Sequence, residues 1–191
     1  MNYDVLQVIV WSATYVLIIV CNIRTGSTGI PPVSMINNFA WETMAIVYDF
    51  KVSPVSAVIH RSWFFLDLII LITYLKFCKP GDSKKKHLLI IYILELLILW
   101  VLFFHTNTGM LISSFVADIY MATEYFVYVY RNKLVTNLNL VFICYFKLIG
   151  DVFAWLFYKN LSQFAMVVGI AAMILNIGCA FMATKKFLKK S

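Results

Sequence analysis

Seven separate stretches of mostly apolar residues, each closed by turn-formers or charge, occupy nearly the whole chain. An α-helix rises about 1.5 Å per residue, so roughly 17–25 apolar residues cross the hydrocarbon of a bilayer. The stretches fall near 4–23, 33–50, 62–78, 87–105, 109–130, 137–158 and 164–184. Between them lie Gly26 to Pro32, Lys51 to Pro54, Lys79 to Lys86, Thr106 to Gly109, Arg131 to Thr136 and Lys159 to Ser162. Turn residues and charges dominate these segments, so helix breaks are expected there, and none is long enough for a soluble domain. The pattern predicts an all-α, polytopic membrane protein: a single integral domain over 1–191, folded as a seven-helix transmembrane bundle. No secretory signal is read at the start, because Asp4 and no basic run precedes the first apolar stretch.

Composition agrees. The chain is 62% hydrophobic and 13% charged, with mean hydropathy +0.85, whereas soluble domains are about a quarter charged. The net charge of +7 would suit nucleic acid if the charges shared a face. They sit instead at the ends of apolar stretches, so membrane lipids and not nucleic acid are the expected partners. With the N-terminus outside and the C-terminus cytoplasmic, the inner segments collect Arg24, Lys76, Lys79, Lys84, Lys85, Lys86, Arg131, Lys133, Lys185, Lys186, Lys189 and Lys190. Only Lys51, Arg61 and Lys159 fall outside, and Lys147 lies within a span. That asymmetry sets the expected orientation. The location follows: a multi-pass protein of the plasma or inner membrane, or of the endoplasmic reticulum. Nothing in the sequence sets an oligomeric state. Cys21, Cys78, Cys144 and Cys179 are far apart and in or beside apolar segments, as buried thiols would be.

The second stretch is the most polar. Met35 to Phe50 carries two Asn, a Glu and an Asp, and a charge near mid-bilayer costs about 2.5–3.5 kcal/mol on insertion scales. Such a helix must be surrounded by others. Asn38, Trp41, Glu42, Ala45 and Asp49 share one face at helical spacing, which is expected to point into the bundle.

Ionisable groups inside spans are candidate functional residues. They are Glu42, Asp67, Glu95, Asp118, Glu124, Lys147 and Asp151. Lys147 and Asp151 stand i, i+4 and can pair with each other; alternatively Glu95 or Asp118 neutralises Lys147. A local ion pair with Arg131 is expected for Glu124. Glu42 has no basic residue within two turns on its own stretch and lies among Phe39 and Trp41. A carboxyl in that setting is expected to hold its proton near neutrality, as a general acid must. Aromatic residues make up 17% of the chain; most serve interfaces and packing, but their faces can also stabilise carbocations.

Other chemistries are excluded by motif. HExxH, paired CxxC, a Walker loop and GxGxxG are all absent. His60, His87 and His105 lie near span ends and are read as interfacial side chains. No metal site and no cofactor is expected, and no aspartate-rich motif exists to hold magnesium on a diphosphate. A prenyl chain handled here would therefore react by protonation.

Four segments carry a family resemblance. Asn37-Asn38-Phe39-Ala40-Trp41-Glu42 resembles the N-x-x-W-E signature of the transmembrane terpene cyclases, small seven-span enzymes of fungal meroterpenoid and indole-diterpene pathways with bacterial relatives. Trp63 to Asp67 is similar to that family's third-span W-x-x-x-D, Tyr125 to Arg131 to its aromatic fifth-span end, and Lys147 to Gly150 to its sixth-span K-x-x-G. The resemblance implies a cyclase of prenyl or terpenoid substrates, an isomerase or lyase in type, in which Glu42 acts as general acid. Asp67 or Asp118 would be the second carboxylate, and Asn38, Trp41, Trp63, Tyr125, Lys147 and Asn176 would line the substrate. The family places an acid on the last span where this chain has Asn176; Asp151, which follows the sixth-span glycine, is the nearest alternative, although its depth reads differently. Two other readings stand beside this one, a small seven-span transporter and a non-catalytic membrane sensor or effector.

Overall fold

The computed structural model describes residues 3–49, 54–106, 109–131, 138–158 and 163–189. Lys51, Lys133, Lys159 and Lys190, and the side chains of Asp4 and Asp49, lie outside the described set. Seven α-helices follow in order: α1 Tyr3–Thr25, α2 Pro32–Asp49, α3 Pro54–Thr73, α4 Asp82–His105, α5 Gly109–Arg131, α6 Leu138–Tyr158 and α7 Gln163–Leu188. No strand occurs among the described residues. All but α2 are long and apolar enough to cross a membrane. The chain is a multi-pass integral membrane protein.

Local chemistry explains the helix ends. Pro32 and Pro54 each open a helix, where the missing N–H costs nothing and the fixed φ fits. Gly26 follows α1 at φ +62° and donates its N–H to the Asn22 carbonyl at 3.2 Å; only glycine adopts that conformation without strain. α3 runs into a π-helical turn, Tyr74–Cys78, that ends on Lys79 at φ 45°.

One boundary differs from the sequence reading. α3 begins at Pro54, two turns before the expected start near 62. His60 and Arg61 therefore belong to the helix and do not trail outside it.

The helices close into a ring. α1 packs on α6 and α3, α3 on α2, α2 on α4, α4 on α5, α5 on α7, and α7 on α6. α2 also reaches across to α5, which brings the most polar helix into contact with three others. Its Ala40 and Ala45 are wholly buried, and small residues there let neighbouring backbones approach. Its polar groups find partners on those neighbours. Asn37 Nδ2 donates to Glu95 Oε1 at 3.2 Å, Thr43 Oγ1 lies 3.2 Å from the Tyr92 hydroxyl, and Trp41 Nε1 donates to Ser113 Oγ at 3.1 Å. In a bilayer no water is available to replace these bonds, so α2 is stable only inside the ring. By contrast, α4 turns Leu89, Ile93, Leu97 and Val101 outward, the face a lipid tail would cover.

Three of the four thiols are buried as expected: Cys21, Cys144 and Cys179, all unbridged, while Cys78 is only partly buried. Cys144 and Cys179 stand 3.5 Å apart between α6 and α7.

Candidate active site

Glu42 is 2% exposed, on the inward face of α2. Its Oε2 lies 2.9 Å from His60 Nδ1 on α3. The imidazole is itself buried and sits between two indoles, with ring centroids 5.2 Å from Trp41 and 5.5 Å from Trp63. This corrects the reading of His60 as an interfacial side chain. The cause is the early start of α3, which puts His60, Trp63 and Asp67 at i, i+3 and i+7 on one helical face. That spacing was the available signal, hidden because the expected start near 62 leaves His60 outside the helix.

Asp67 is fully buried one turn deeper than Trp63. Asn38 Nδ2, from α2, donates to Asp67 Oδ2 at 2.7 Å and to the Tyr15 hydroxyl at 2.8 Å. Among the described residues no cation pairs with Asp67, and its Oδ1 has no hydrogen-bond partner. Trp63 Nε1 donates to Ser12 Oγ on α1 at 3.2 Å, and the Tyr15 ring meets Trp63 edge-on at 6.4 Å. Three helices thus hold Glu42, Asp67, Asn38, Trp41 and Trp63 in one cluster. Phe39 extends its aromatic wall, stacked between Phe64 at 5.2 Å and Tyr92 at 5.3 Å.

A second polar network occupies the other side of the ring. Lys147 Nζ is 2.6 Å from Asp151 Oδ2 on its own helix and 3.0 Å from Asp118 Oδ1 on α5. Both alternatives for neutralising Lys147 are therefore realised together, with Asp118 and not Glu95 as the second partner. Asn176 of α7 donates its amide to Asp151 Oδ2. The family-expected position on α7 and the acid on α6 thus touch, whatever their depth by residue count. Asp118, expected as an alternative second carboxylate beside Glu42, is instead held by this ammonium; of the two expected second acids, only Asp67 shares Glu42's cluster. Lys147 Nζ also lies 5.4 Å over the Trp11 ring. Trp11 packs 6.0 Å from Tyr15, so a line of rings joins the two polar groups. Gly150 permits this: a Cβ there would meet Trp11 Nε1 at 3.0 Å.

The remaining expected residues lie elsewhere. Tyr125 is buried, and its hydroxyl donates to the Gly29 carbonyl at 3.1 Å, tying α5 to the α1–α2 connection. Tyr128 does the same at Thr28, at 3.0 Å. Glu124 and Arg131 form no ion pair with each other, contrary to expectation; seven residues apart, they line one opening of about 340 Å³ with Pro31, Pro32 and Tyr128. A larger opening of about 500 Å³ lies between the starts of α2 and α4, lined by Val33, Lys84, His87 and Leu88. Both belong to the end of the bundle where α2 begins, not to the Glu42 cluster. Among the described side chains no group of His, Cys, Asp and Glu is arranged to hold a metal ion.

The family of Pyr4-like transmembrane terpene cyclases matches residues 3–129, from α1 nearly to the end of α5. The chain belongs to this family. A Pyr4-like transmembrane terpene cyclase is thus the frame in which Glu42, His60, Trp63 and Asp67 stand, since all four lie inside the matched segment. Lys147, Asp151 and Asn176 lie beyond it. The terpene cyclase cle7 of Aspergillus versicolor is 30% identical over 90 residues, which are 47% of this chain and 37% of that protein. This chain therefore spans little more than a third of the length of that relative in the matched region. No solved structure matches it.

Proposed function

We propose that this membrane terpene cyclase closes rings by protonation, with Glu42 as the general acid and a prenyl or terpenoid chain as substrate. One observation carries the reading: the most polar helix buries a carboxyl against an imidazole that two indole rings enclose. In its acid form Glu42 gives its proton to a terminal alkene carbon or epoxide oxygen. The resulting cation moves along the chain as rings form, and the indoles of Trp41 and Trp63 offer the negative charge of their π-clouds to it. A dry, aromatic wall also denies the cation premature capture by water. Asp67, oriented by Asn38, is the second carboxylate of the cluster.

The network of Asp118, Lys147, Asp151 and Asn176 serves the architecture of this site. It joins α5, α6 and α7 and fixes Trp11 behind Tyr15. Membership of the family favours a terpenoid ligand over a transported solute. The N-terminus-outside orientation belongs to the same proposal.

The test is product formation in proteoliposomes from an aromatic compound carrying a terminally epoxidised farnesyl chain. Glu42→Gln is expected to lower turnover about 10²–10⁴-fold, the span typical of losing a positioned acid. Undiminished turnover would remove Glu42 from the mechanism.

A further inference from the structure

The carboxyl that gives up a proton must regain one, and burial separates Glu42 from any bulk source. His60 is the group that the fold puts between them. α2 and α3 form an antiparallel pair, so the end of α2 and the start of α3 lie at one end of the bundle. Glu42 stands seven residues from the end of α2 and His60 six residues from the start of α3, roughly 10 Å and 9 Å along the helix axes. The two groups stand at similar depth, and the imidazole is the more accessible of the pair, its side chain 11% accessible against 3% for Glu42. Trp41 and Trp63 flank the ring, and its Nδ1 lies at the carboxyl.

We infer that His60 is the proton-relay residue that recharges Glu42 between turnovers from the end of the bundle where α3 begins. This rests on the reading of Glu42 as the acid. When Glu42 has protonated the substrate, its O–H bond is broken and it remains as carboxylate. An imidazolium at His60 passes the Nδ1 proton to it, reforming the carboxylic acid and leaving a neutral ring. The neutral ring, protonated on Nε2, turns about Cβ–Cγ to bring Nδ1 to water at that end, takes up a proton there and returns as the imidazolium. The final cation loses a proton to water, so one proton enters and one leaves per turnover. No oxidant or reductant is needed. The ionisable group set against the ring is Glu42 from α2, and Tyr15 from α1 and Asp67 from α3 stand near that carboxyl.

His60→Asn separates relay from positioning, because the Asn amide can donate a hydrogen bond from near the Nδ1 position but cannot carry a proton. The readout needs no substrate: infrared spectroscopy of the full chain in proteoliposomes, following the carboxyl C=O band that Glu42→Gln abolishes. On transfer to D₂O this band is expected to shift about 10²-fold more slowly in His60→Asn than in wild type, an effect of the size typical of a positioned proton-transfer group. Added imidazole is expected to restore the rate. Exchange at the wild-type rate in His60→Asn overturns the relay alone, and a wild-type carboxyl band insensitive to Glu42→Gln overturns acid and relay together. Full turnover by Glu42→Gln overturns the acid reading and, with it, any part for the relay in turnover, even where exchange is slowed in His60→Asn. His60→Gln supplies the same comparison if the Asn variant does not reach the membrane.

Discussion

Three buried acids in one bundle have three different partners, and the partner decides what each can do. Glu42 meets an imidazole, Asp67 an amide, and Asp151 both an ammonium and an amide. Removing one member of a buried ion pair leaves charge without compensation, at a cost of about 3–5 kcal/mol. Lys147→Met is accordingly expected to lower the thermal stability of the detergent-solubilised protein sharply, because it leaves both Asp118 and Asp151 uncompensated; adding Asp118→Asn and Asp151→Asn should recover much of the loss. Asn38→Leu strips Asp67 of its donor and is expected to cost about 1–3 kcal/mol in the same assay. At this scale the sequence was partly legible. Glu42, Asp67 and Lys147 stood out because ionisable groups are expensive in a bilayer. Their partners did not, since pairing across helices depends on packing that residue spacing along one helix does not contain. His60 is the clearest case.

At the scale of elements, α2 shows why composition alone misjudges a helix. Its amides and carboxyls exclude it from the helices apolar enough to insert unaided, yet it packs on three neighbours and buries Ala40 and Ala45 completely. Its inward face was readable from the spacing of Asn38, Trp41, Glu42 and Ala45. The start of α3 was not, because His60 and Arg61 interrupt the apolar run that follows Pro54 and make it read as a connection. The close approach of α1 to α6 depends on Gly150. Gly150→Ala would press a methyl against the Trp11 indole, and overpacking of this kind costs about 1–3 kcal/mol. The measurement is thermal unfolding, with Trp fluorescence reporting whether Trp11 has left Lys147.

The whole molecule is a closed ring in which the family-matched helices α1 to α5 carry the acid cluster and α6 and α7 complete the enclosure. Hydrophobic segmentation made seven helices legible because lipid leaves backbone groups no other way to be satisfied. Ring order was not legible, since nothing in a single sequence states which apolar faces meet. Orientation remains a prediction from the lysines. Single cysteines placed at residue 83, in the α3–α4 connection, are expected to resist a membrane-impermeant maleimide in sealed, right-side-out vesicles, and cysteines at residue 53 to react; the opposite labelling would invert the bundle. In the proposed mechanism a proton from Glu42 starts ring closure. The most direct measurement of this step is cyclisation of an alkene-terminated farnesyl probe in D₂O, with the product examined for deuterium at the carbon where the cascade begins. One non-exchangeable deuterium at that carbon in wild type, with no cyclised product from Glu42→Gln, is the predicted result. Cyclised product free of deuterium, or the same labelled product from Glu42→Gln, would contradict it.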